Sequence, residues 1–131
     1  MLRYLVVFAV LCTLAAVEQG KAAVLAKDDG NAFSLDNGIL RVHYDGKTGT
    51  FNALRGEHRL FITEGRLVEA DKQKGATARL IDVKNTLGDG KAVEVTWPDG
   101  RIRRLALYDG VPFVCASGAM RNDTDKDFLL A

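Results

Sequence analysis

Apolar and polar positions alternate with a period of two over many short runs of this chain. In GILRVHY, Leu40, Val42 and Tyr44 fall on one side and Ile39, Arg41 and His43 on the other. KAVEVTW repeats the pattern, with Val93, Val95 and Trp97 on one face and Glu94 and Thr96 pointing away. Successive strand residues project to opposite sides of a sheet, so both runs predict half-buried strands. TARLIDVKN reads the same way, Ala78, Leu80 and Asp82 sharing a face. Further strands are expected at AFSLD, TFNAL, RLFIT, GRLVEA, RIRRLALY and within VPFVCASGAMRN. Turn signals separate them: Asn37-Gly38, DGKTG, RGEH, Pro98-Asp99-Gly100 and Asp109-Gly110. The Asn-Gly pair is a strong hairpin signal because both residues tolerate positive φ. No window sustains a helical period for three turns outside the N-terminus.

This pattern predicts an all-β fold, an antiparallel β-sandwich or a related large double sheet. Residues 24–131 suffice for one core and are too few for two ordinary domains. The apolar run Phe128 to Ala131 starts a further strand and stops without a turn, so the sandwich is expected to be incomplete at its C-terminal end.

The first residues have a different character. Arg3 precedes an apolar run from Tyr4 to Val17, closed by Glu18, Gln19 and Lys21. The run is shorter than the roughly 20 residues of a spanning helix and has the shape of a signal peptide. Residues 1–23 are read as that signal, with cleavage after Ala22, Ala23 or Ala26 all open, which predicts a secreted or periplasmic product. A retained N-terminal anchor or a buried first helix is the alternative. Removing Arg3, Lys21 and Glu18 takes the chain from 18 cations and 17 anions to 16 of each. A neutral chain lacks the long-range attraction to nucleic acid or anionic membrane that a basic excess supplies. Arg101, Arg103 and Arg104 are read as a solvated strand face.

Candidate chemistry is sparse. Cys12 lies in the signal, which leaves Cys115 without a disulfide partner, and its apolar neighbours mark it as a small core residue. LGDGK, Leu87 to Lys91, lacks the G-x-x-x-x-G-K-[ST] spacing and following helix of a phosphate loop and reads as a turn leading into a strand. Asp123, Asp125 and Asp127 alternate like the start of a calcium loop, but no glycine or bidentate glutamate follows. His43 and His58 stand on separate segments with no converging nucleophile or ligand set. No metal, cofactor or catalytic constellation is predicted.

The order of segments carries more. FSLDNGILRVHYDGKTGTFNAL, then LGDGKAVEVTWPDGRIRRLALYDGVPFV, then GAMRNDTDKDF resembles the N-terminal β-sandwich of secreted α-galactosidases and raffinose synthases of glycoside hydrolase family 36. The matching features are Asn37-Gly38, Asp45 to Gly49, Gly88 to Val95 and Leu107 to Val114, over about Phe33 to Phe128. The resemblance implies a supersandwich akin to galactose mutarotase, placed before a (β/α)8 barrel that holds the catalytic aspartates. That barrel is not in this sequence, so no catalytic residue transfers, and carbohydrate is a partner only through the parent enzyme. Trp97 and Tyr108 are the candidate sugar contacts, because an aromatic face packs on a pyranose; inward core packing is the favoured reading for both, since each sits in its strand's apolar register. A free-standing secreted module that binds carbohydrate or protein is the second reading, and a small enzyme using His43 or His58 the third.

Overall fold

The computed structural model describes residues 23–56 and 59–121. The apolar N-terminal run, His58, and Asp123 to Ala131 lie outside them. The chain folds as an all-β antiparallel sandwich. One sheet is a meander of β1 (Leu25–Asp28), β2 (Ala32–Asp36), β3 (Leu40–Asp45), β4 (Thr50–Arg55) and β5 (Arg59–Arg66). The other is a meander of β6 (Thr77–Asn85), β7 (Gly88–Thr96), β8 (Arg101–Tyr108) and β9 (Cys115–Met120). Residues 67–76, with a short 3₁₀ turn at Ala70–Lys72, connect the two.

The core lies between the sheets where β1 faces β6, and β2 faces β7 and β8. Leu35, Val42, Val93, Val95, Leu105 and Leu107 are fully buried there, each at an alternate strand position. The period-two pattern places them: both faces of AFSLD and GILRVHY are spoken for once Phe33, Leu35, Val42 and Tyr44 turn inward. At about 25 cal/mol per Å² of apolar area, each such side chain contributes on the order of 2 kcal/mol. Leu67, Val68 and Ala76 of the connection close one end of the core.

Asn37 ties the two sheets together. Its Oδ1 accepts the amides of Ile39 at 3.0 Å and Leu40 at 2.8 Å, which shapes the β2–β3 turn. Its Nδ2 donates across the sandwich to the carbonyls of Tyr108 at 2.9 Å and Val111 at 2.8 Å. The side chain is 1% exposed, and all its hydrogen-bonding positions are matched, as burial of an amide requires. Asn37-Gly38 is therefore both hairpin turn and inter-sheet tie.

Two expectations from the sequence need correction. The turn assigned to LGDGK comes earlier, at Thr86 and Leu87, where Asn85 Oδ1 accepts the Leu87 amide at 2.8 Å. Gly88 to Gly90 already belong to β7, paired with Asn85 to Val83 of β6. The arginine run is also not one face: Arg103 pairs with Val95 and lies on the inner side, whereas Arg104 pairs with Glu94 on the outer side.

Candidate functional site

The outer face of the β6–β9 sheet is not the polar surface that a sheet packed on one side normally presents. The strand registers set its side chains in rows. One row runs Arg79, Glu94, Arg104, Ser117 across β6 to β9, and the next runs Ile81, Ala92, Ala106, Cys115. Ala92, Ala106 and Tyr108 form a second buried cluster here, packed with Ile81, Val83 and Val111. Small residues on the two central strands, with larger ones around them, leave a depression of about 490 Å³ reached by Arg104, Asn85 and Ser117.

Charge is organised at one end of this depression. The Glu94 carboxylate accepts from Arg79 at 2.7 Å and from Arg104 at 2.7 Å. Glu94 is only 3% exposed, and the hydrogen bond from Arg79, joined by Arg104, holds its carboxyl below the usual glutamate range against the opposing effect of burial. The carboxylate stays ionised between two cations, so the row carries a net positive charge. At the other end, Asn85 Nδ2 donates to the Tyr108 hydroxyl at 2.8 Å. Tyr108 reaches that position by crossing Gly90, where an added Cβ would collide with the Leu107 carbonyl and stand 2.9 Å from the tyrosine ring. This close approach explains a glycine inside a strand.

The two candidate sugar contacts are not brought together. Trp97 turns inward, is 5% exposed and belongs to the main core. Its Nε1 donates to the Lys72 carbonyl at 2.9 Å, and the Arg101 guanidinium lies 5.1 Å from its ring centre. Tyr108, 6% exposed, lies in the outer-face cluster. Cys115 is half-buried in that same cluster, and burial pushes its thiol pKa up, away from the thiolate a nucleophile needs. His43 stands on the exposed outer face of the other sheet, in a depression it shares with Ser34, Asp36 and Arg41. Among the described residues, no three His, Cys, Asp or Glu side chains converge as a metal site requires.

The Arg79–Glu94–Arg104 row was not visible as a site in the sequence. Its members lie on three strands, 10 and 15 residues apart, and only the registers align them. The one signal was Glu94 itself, a charge between Val93 and Val95 in a strongly apolar strand. Comparisons with protein-family models, curated proteins and solved structures found no match.

Proposed function

We propose that this chain is the non-catalytic N-terminal β-sandwich of a secreted α-galactosidase-like glycoside hydrolase, where it buttresses a (β/α)8 catalytic barrel. The observation that carries the reading is the apolar cluster on the outer face of β6–β9. A sheet with apolar residues on both faces is suited to cover on both sides, and here one cover is the first sheet. A docking body on the other face would meet Ile81, Val83 and Cys115 around an ordered charged row. The burial of Trp97 and Tyr108 favours this supporting role over stacking of sugar on the sandwich itself. The resemblance of the turn and strand segments supplies the identity of the parent enzyme.

The test is the intact mass and activity of the native gene product from its own host. A product several times heavier than these residues, active on an α-galactoside, is expected. A secreted product with the mass of residues 24–131 would sink the reading and leave the free-standing binding module in its place. N-terminal sequencing of the same product checks secretion: it should begin near Ala23 or Val24, and a start at Met1 would indicate a retained segment.

A further inference from the structure

The free edge of β9 differs from every other sheet edge among the described residues. Edge strands of soluble proteins carry charges, prolines or bulges that discourage further pairing. β1 has Lys27 and Asp28, β6 has Arg79, Asp82 and Lys84, and β5 has Arg59, Glu64 and Arg66 together with a register shift against β4. β9, CASGAM, has none of these devices. Ala116 to Met120 are exposed, although Leu105, paired with Ala116, is fully buried. The core thus ends between β8 and β9.

The direction of the unused backbone groups follows from the ladder. Trp97 donates to the Arg101 carbonyl and Arg121 to the Gly100 carbonyl. Antiparallel bonding alternates along a strand, so Arg101, Arg103 and Leu105 bond toward β7, whereas Ile102, Arg104 and Ala106 bond toward Ala119, Ser117 and Cys115 of β9. The N–H and C=O groups of Ala116, Gly118 and Met120 therefore point away from β8 to the free edge.

Arg103 lies over that edge. Gly118 has no side chain, and Arg103 from β8 lies across it: an added Cβ would stand 2.8 Å from Nη1 and 3.2 Å from Cδ and Cζ. Arg79 and Arg104 pair with Glu94, and Arg101 pairs with Asp99. Arg103 makes no ion pair among the described residues; its Nη1 donates to the Ile102 carbonyl at 3.0 Å.

We infer that β9 is a strand-addition site for an extended acidic segment of a partner protein, with backbone groups pairing to Ala116, Gly118 and Met120 and a carboxylate meeting Arg103 above Gly118. Strand addition draws affinity from main-chain bonds and selectivity from alternate side chains, and the guanidinium supplies the selective contact. A second copy of this chain fits less well. Antiparallel pairing of two β9 strands about Gly118 would bring both Arg103 side chains together on one face, where like charges repel. The inference holds whether or not the parent is a glycosidase, and its test is separate.

The experiment follows amide hydrogen exchange in the full chain, alone and with an eight-residue peptide alternating valine and glutamate or its valine–lysine counterpart. In the free chain the amides of Ala116, Gly118 and Met120 should exchange fast, and the glutamate peptide should slow them by about tenfold or more while the lysine peptide does not. Arg103→Glu should reverse the preference. Ala116→Pro should abolish binding, because it removes an outward N–H and leaves the bonds to β8 intact. Equal protection by both peptides, or none, would overturn the inference. Slow exchange in the free monomer would assign the edge to the chain's own residues 122–131, and protection rising with protein concentration would assign it to a second copy; either result refutes the acidic partner.

Discussion

Replacing Asn37 by aspartate keeps the shape of the inter-sheet tie and changes only its chemistry. Oδ1 can still accept from Ile39 and Leu40, but the atom facing Tyr108 and Val111 becomes an acceptor opposite two carbonyl oxygens. Two donated bonds are lost, at about 1 kcal/mol each. Burial of the carboxylate among carbonyls adds to this: a pKa raised by about 2 units in the folded state costs about 2.7 kcal/mol at neutral pH. Asn37→Asp should therefore destabilise the domain by about 4 to 5 kcal/mol at pH 7, a large share of the roughly 5 to 15 kcal/mol typical of a domain. The sign with pH is fixed by linkage. A folded-state pKa raised above the unfolded value of about 3.9 means the neutral carboxyl folds better, so the added penalty is absent below about pH 4 and grows as pH rises toward the folded pKa. Urea unfolding followed by emission of Trp97, the only tryptophan, would measure the difference from the parent at pH 7 and pH 4. A deficit below about 1 kcal/mol at pH 7, or one that grows on acidification, would refute the account of Asn37 as a donor across the sandwich.

Glu94→Gln should cost about 2 kcal/mol at neutral pH by leaving Arg79 and Arg104 without their shared carboxylate. Because the folded pKa of Glu94 is held down, its contribution is full above the unfolded glutamate value and lost as pH falls through the folded one, so the variant's deficit in urea unfolding should shrink in acid. Gly90→Ala should cost about 2 to 3 kcal/mol in the same assay, since both the Leu107 carbonyl and the Tyr108 ring occupy the space. Trp97→Phe should cost about 1 to 2 kcal/mol and release the 3₁₀ turn, read as faster proteolytic cleavage between Glu69 and Gln73.

The inward register of Leu40, Val42 and Tyr44 and of Val93, Val95 and Trp97 was legible because one buried face leaves an unambiguous period of two. The turns at Asn37-Gly38 and Pro98-Asp99-Gly100 were legible because their residues favour particular backbone angles. β1 was not legible, since Lys27 and Asp28 mask a strand whose pairing to β2 is carried by backbone bonds. Gly90 misled in the opposite direction: it looked like turn chemistry, yet its reason is a ring from β8 crossing the strand. The outer-face row could not be read because it depends on three registers at once, and a register is a property of pairs of strands. For the same reason the sequence could not show that Trp97 and Tyr108, paired as candidate sugar contacts by residue type, lie in separate clusters on opposite faces.

The order of pairing along the chain bears on how the molecule assembles. Among the described residues every hydrogen-bonded strand neighbour is also a neighbour in sequence, so each sheet can grow by closing short hairpins one after another, which is entropically inexpensive and fast. The distant contacts are those between sheets, among them the bonds from Asn37 that span 71 and 74 residues. Folding is thus expected to divide into rapid zipping of two meanders and a slower collapse of one upon the other. A variant in a turn such as Pro98-Asp99-Gly100 should alter the first process, and one at Asn37, Leu35 or Leu107 should govern how long the closed sandwich persists before it springs apart.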